Sequence, residues 1–216
     1  MSAEAWERVV LVLLGWLLGL LAPVIIEKIK QTREVEKFLI AINSELNEAL
    51  YRLSLANFYV AQRVGQVDRK YLIWLKNIID NYQGINSSTN TKSLIDLSLS
   101  LSDADIENLH ATQQKPFESI RLQKINVPVL DSRLPTIWQL SNSKRVYLLE
   151  IRVHLDMLNE AVELSRYYQD LTFGKVEGKN YDIVIQNLNG SYLQFSERAR
   201  IIIEKIQEFK LSCAKI

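Results

Sequence analysis

The chain is poor in the residues that build disulfides, metal sites and phosphate loops. It has one cysteine, Cys213, and two histidines, His110 and His154, in 216 residues. One thiol excludes an internal disulfide and suits a reducing compartment. The histidines fall on different expected elements. No HExxH and no paired CxxC occurs, and "DADIEN" lacks the central glycine of a calcium loop. No metal is therefore expected. Glycines number seven and prolines four. After Gly19 the glycines stand singly at Gly65, Gly84, Gly174, Gly178 and Gly190, so no glycine-rich turn can cradle a phosphate. None of the serines lies in a G-x-S-x-G. No cofactor is expected, and an enzyme is not the leading reading. A net charge of +1 leaves no electrostatic footprint for nucleic acid. Few glycines and prolines, with abundant leucine, isoleucine, glutamate, lysine and glutamine, favour helices over sheets. The expected class is all-α.

What the chain does have is a long uncharged run, from Val9 to Ile26. As a helix it spans roughly 27 Å, close to a hydrocarbon core of about 30 Å. A soluble core helix rarely goes so far without a charge, because one face must meet water. A signal peptide needs a basic start and a small-residue cleavage site. Here the start is "MSAEAWER" and the downstream flank "IIEKIKQTREVEK" has no Ala-x-Ala. The run reads as a retained transmembrane helix, residues 9–26, between a short tail, 1–8, and a helical domain, 27–216. Arg8 is the one basic residue before it; Lys28, Lys30, Arg33 and Lys37 follow closely. Positive charge stays inside, so the tail is expected outside and the domain in the cytoplasm, in a single pass of the inner membrane.

Within the span, Gly15, Gly19 and Ala22 share one face. Small residues let two helix backbones approach in lipid, so this face is the expected contact with a second copy. Pro23 removes the bond to the carbonyl of Gly19 and is the expected helix break, at the exit from the membrane. Arg8 lies on the glycine face and is read as a flanking residue that reaches for headgroups.

Beyond the span the helix is expected to continue. Val35, Phe38, Leu39, Ile42, Leu46, Ala49, Leu50, Leu53 and Ala56 keep one stripe, with Glu36, Lys37, Asn43, Glu45, Glu48 and Arg52 on a solvated face. Gly65 stops it. Asp68 caps a second helix that Gly84 ends. "INSSTNTKS" reads as a polar loop, "LIDLSLSLS" as a short helix or an extended piece, and Ser102 as the cap of "DADIENLHATQQ". The stretch from Lys115 to Arg133 contains two prolines and should wrap across a bundle. Pro135 opens "PTIWQLSNSK" as a helix. Two long helices follow, from about Lys144 to Phe173 and from about Tyr181 to Leu211, joined at Gly174 and Gly178 into an antiparallel hairpin. Expected inward residues are Leu148, Ile151, Leu155, Leu158, Val162 and Leu171 on the first. On the second they are Val184, Leu188, Leu193, Phe195, Ala199, Ile202, Ile203, Ile206 and Phe209. Glu150 with His154, and Arg152 with Asp156, are spaced to pair on one helix face as surface contacts.

The plan of the whole chain resembles small bacterial single-span membrane effectors of phage-defence systems. The features that carry the resemblance are a short tail, a Leu/Gly span ending "LLGLLAPVIIEKIK", a helix of mixed charge and a helical domain. One such effector is the helical membrane accessory protein of type VI-B CRISPR loci, which looks related to the HEPN ribonuclease bundle. No diagnostic motif is shared. The HEPN signature places an arginine a short, slightly variable interval before a histidine. Arg145 stands nine residues before His154 and Arg152 two, and neither fits. If the fold is HEPN-like, the nuclease chemistry is expected to be missing. The leading expectation is a self-associating membrane effector or pore component controlled by its cytoplasmic domain, with lipid and a second copy as partners. The alternative is a membrane-tethered adaptor for a soluble cytoplasmic protein, and a third reading, against which the absent Arg–His spacing counts, is an enzyme of HEPN-like fold.

Overall fold

In the computed structural model, residues 3–82, 84, 89–112, 120–174 and 178–214 are described. Among them every regular element is helical. The first, α1 (Ala3–Val64), runs 62 residues without interruption. The break expected at Pro23 does not occur. A proline deletes one N–H and crowds one carbonyl, here that of Gly19, and the long hydrogen-bonded ladders on both sides carry the helix across. α1 stops where expected, by a left-handed residue: Gly65 has φ 70°. The Gln66 N–H reaches the Ala61 carbonyl at 2.9 Å and the Gly65 N–H that of Gln62 at 3.4 Å, so two orphan carbonyls are satisfied.

Asp68 caps α2 (Arg69–Asp80) by accepting the Tyr71 N–H at 2.7 Å. α2 ends at Asp80, before the expected stop at Gly84. The ambiguous "LIDLSLSLS" is helical: α3 is Thr89–Leu99, and it also takes in residues 89–93 of the expected polar loop. With no strand to pair with, the segment satisfies its backbone locally and turns Thr91, Ile95 and Ser98 inward at helical spacing. Residues 85–88 of that loop lie outside the described residues. Ser102 precedes α4 (Asp103–Thr112), accepts the Asp105 N–H at 3.2 Å and donates to the Asp105 carboxylate at 2.6 Å. α5 (Pro128–Ser132) and α6 (Leu134–Ile137) are short. The helix expected from Pro135 closes after one turn, because Gln139 and Leu140 bond three residues back, the tighter pattern that ends helices.

The long pair follows as α7 (Asn142–Thr172) and α8 (Gly178–Ala214). α8 runs back along both other long helices. Its Lys205 pairs with Glu150 of α7, at 3.1 Å. Near its start Asn189 accepts from Arg63 of α1 at 3.4 Å, and near its end Gln207 and Lys210 share a cleft with Asn47 and Leu50. One core lies among these three helices, built from Phe38, Ile42, Leu46 and Leu53, Leu148, Ile151 and Leu155, and Phe195, Ile202 and Phe209. A second core joins Tyr51 and Phe58 of α1 to α2, α3 and Ile106 of α4. Two inward assignments change. Leu193 is 46 % exposed and its neighbour Tyr192 is fully buried; Leu171 is half-buried.

Residues 120–127 carry no regular structure and cross α7 and α8 as a strap; residues 115–119 of the expected wrap lie outside the described residues. Leu122, Ile125 and Val127 plug the core. Buried backbone groups need partners, and here side chains supply them. The Tyr192 hydroxyl accepts the Ile120 N–H and donates to the Ile120 carbonyl, both at 2.9 Å. The Asn159 carboxamide does the same for Ile125, at 2.9 and 3.0 Å. Arg166 donates to the Leu122 carbonyl at 3.0 Å.

Candidate functional site

The expected site residues lie on the N-terminal part of α1. Every residue from 10 to 34 is exposed, and none of the apolar stretch is buried inside the protein. Leu11, Val12, Trp16, Leu18, Val24 and Ile26 are each more than 60 % exposed. Water would meet leucine and isoleucine on all sides, a far larger apolar surface than soluble proteins leave uncovered. This helix is long and apolar enough to cross a membrane. Gly15 and Gly19 have nothing within 4 Å of the place a Cβ would take. With Ala22 they form an open, shallow face. The side chain of Arg8 lies outside the described residues.

The same helix becomes part of the core about nine residues after Ile26. Val35 is half-buried and Phe38, Ile42 and Leu46 are buried. Two glutamates expected on the solvated face hold neighbours instead. Glu45 accepts the Val129 N–H at 2.7 Å and the Leu130 N–H at 3.0 Å, so a carboxylate of α1 satisfies the first turn of α5, where Val127 supplies no side-chain cap. Glu48 accepts from the Tyr82 hydroxyl. Beside them opens a cleft of about 930 Å³, lined by Ile40, Asn43, Glu48, Arg52 and Asn126 among others. At the far end of α1, Arg63 stacks over Tyr192 at 5.0 Å, and Asn57 donates to the Tyr71 hydroxyl at 3.1 Å. Burial pushes both phenols above their ordinary range, opposed for Tyr71 by Arg200 and Asn57 and for Tyr192 by Ile120 and Arg63. α1 thus contacts the strap's anchor at one end and α5 nearer the apolar segment.

The expected surface pairs on α7 rearrange. Glu150 pairs across to Lys205 rather than with His154, and that bond, followed by one to Glu208, raises the Lys205 ammonium above its usual range. Arg152 donates to Asp131 at 2.9 Å rather than pairing with Asp156. The His154 Nδ1 is buried without a hydrogen-bond partner among the described residues. The side chain of His110 lies outside the described residues. No group of three or more metal-ligating side chains occurs among the described residues. These neighbouring-helix contacts were invisible to a reading of one helix at a time. A helical face of 3.6-residue period says that a residue is exposed on its own helix, not what crosses over it. No family model, no curated protein and no solved structure matches the chain.

Proposed function

We propose that this protein is a single-pass membrane effector or pore component, in which the helical body controls the association of spans. One observation carries the reading. The exposed apolar segment and a principal core helix are the same unbroken α1, so a rotation or tilt imposed on the body reaches the span without a hinge. The basic flank after Ile26 favours a short tail outside and the body in the cytoplasm, at the inner membrane of a bacterium. The span then contacts a second copy through Gly15, Gly19 and Ala22, where missing side chains allow close backbone packing. This plan also agrees with the resemblance to membrane effectors of phage-defence systems.

The test replaces Gly15 and Gly19 together with leucine, which keeps the segment apolar. Crosslinking in native membranes is expected to give higher-order species for the parent and fewer for the double variant. Equal ladders would remove the glycine face from the assembly. A periplasm-only reporter fused after Ile216 is expected to stay silent, and activity there would reverse the topology.

The second reading, a membrane-tethered adaptor, draws on α7. Val146, Val153, Met157, Leu164 and Tyr167 are each 41–59 % exposed on its outer side. Their steps of seven, four, seven and three place them on one stripe, opposite the buried Leu148, Ile151, Leu155 and Leu158. A soluble partner helix fits such a stripe. A monomeric parent that co-purifies with one defined protein, and loses it on Val153→Asp, would favour the adaptor over the effector.

A further inference from the structure

The glycine face does not end at the membrane border. Steps of seven residues lead from Gly15 to Ala22, Ile29 and Glu36, and from Gly19 to Ile26, Arg33 and Ile40. α1 is continuous through all of them. A repeat of seven on a helix of 3.6 residues per turn drifts slowly and marks the seam of a left-handed helix pair. The protein's own body leaves this seam open. Ile26 is 64 % exposed, Ile29 49 % and Ile40 73 %, and Arg33 and Glu36 are exposed too. Phe38, two residues from both Glu36 and Ile40, and Ile42, two residues from Ile40, enter the core, roughly 200° around the helix from those neighbours. α1 therefore has two faces on opposite sides, one packed against α8 and one that the described residues leave open, with Ile40 at the rim of the cleft it shares with Asn126.

We infer that the open face, from Gly15 through Ile29, Arg33 and Glu36 to Ile40, is a continuous contact with α1 of a second copy, extending about 20 Å beyond the membrane border at Ile26. The inference rests on the proposed membrane reading and extends it. Charge selects the occupant. Arg33 and Glu36 have no ion-pair partner among the described residues. Two copies inserted in the same sense lie parallel and at equal depth. Arg33 of one copy is then one seam layer, about 4.5 Å along the axis, from Glu36 of the other, and the pairing repeats by symmetry. Within the seam outside the span, Ile29 and Ile40 bracket this crossed pair with apolar layers. A partner of a different sequence would have to supply an acid and a base at matched heights, whereas a second copy supplies both by construction.

The experiment uses the full chain in its native membrane, with Cys213→Ser as background and single cysteines at Ile29, Ile40 or, as the control on the core-facing side, Gln31. Gln31 is exposed and lies off the seam. Under mild oxidation, I29C and I40C are expected to give disulfide-linked dimers and Q31C to stay monomeric. In the I40C background, Arg33→Glu alone and Glu36→Arg alone should each lose the dimer. Co-expression of those two variants should restore it, because acid then faces base across the seam. A Q31C dimer as abundant as that of I40C overturns the inference. So does protection of I40C from maleimide without a dimer, which would mean another occupant. If I40C stays reactive and monomeric while lysine crosslinking still depends on Gly15 and Gly19, the contact stops at the membrane and only this extension falls. If neither dependence is seen, the self-association in the proposed function falls with it.

Discussion

The two halves of α1 have nearly the same backbone and opposite surroundings. From Val10 to Glu34 every residue is exposed, whereas from Phe38 to Ala61 a buried stripe recurs at helical spacing. The first half is apolar on all sides up to Ile26; the second buries one apolar stripe and turns mainly polar residues outward, Ile40 and Tyr59 excepted. The contrast lies in how each half distributes its apolar surface. A helix that is apolar all round has no face for water, and one with a single stripe has a face for water and a face for protein. Within α1, then, it is the distribution of apolar residues around the axis, more than their number, that separates a segment apolar enough to cross a membrane from a core helix.

The largest test of this contrast puts the same charge in both halves. Leu46→Asp buries an unpaired carboxylate at a fully buried position and should cost about 4 kcal/mol or more, enough to abolish cooperative melting of the body. Leu17→Asp, at a 47 % exposed position, should leave that melting unchanged and weaken insertion by about 3 kcal/mol, read as loss from the membrane fraction. Equal effects of the two on melting would mean that both halves share one core.

A smaller test concerns the strap, which holds only the second half. Asn159→Ala removes both side-chain bonds to Ile125 and should destabilise the body by about 2 kcal/mol in chemical denaturation. Membrane fractionation and Gly15-dependent crosslinking should not change.

The smallest effect is that of pH. The Lys92 hydrogen bond, helped by Lys76, holds the Asp80 carboxyl below its ordinary value, and the Lys124 bond does the same for Glu163. A depressed acid adds stability that is complete above its unfolded value and fades as pH falls through its folded one. Melting temperature should therefore decline as the pH drops below the carboxylate range. Asp80→Asn and Glu163→Gln, combined, should flatten that decline. The run from Val9 to Ile26 has no titratable side chain, so membrane retention should stay constant over the same window.

Those contrasts also mark how far the sequence could be read. The exposed run, the stripe from Phe38 to Leu53, the stop at Gly65, the cap at Asp68 and the two final helices all announce themselves by spacing or by a specialised residue. The misread positions have in common that their environment comes from elsewhere in the chain. Tyr192, absent from the expected inward residues, is buried because the strap gives its hydroxyl both a donor and an acceptor. Leu193 looked like core and is exposed because its neighbour took that direction. Glu45 sits on the polar side of its own helix, and only the arrival of α5 makes it a cap. The local cost of Pro23 predicts a break, and α1 nevertheless continues through it. In the candidate site, Gly15, Gly19 and Ala22 were legible as a face. Its continuation through Arg33 to Ile40 needed knowledge of which side of α1 the body occupies.

A helix of 62 residues measures about 93 Å, and from Ile26 to Val64 it extends about 57 Å. In the proposed membrane setting this outer length is a lever arm with its fulcrum at the bilayer surface. A tilt of about 20°, ordinary for a single span, swings the Val64 end sideways by about 20 Å. Read in the other direction, a displacement of a few ångströms at the strap end reaches the glycine face as a change of only a degree or so per ångström. The lever therefore works with mechanical advantage toward the membrane: wide, weakly resisted excursions of the body become small, firm rotations of the span.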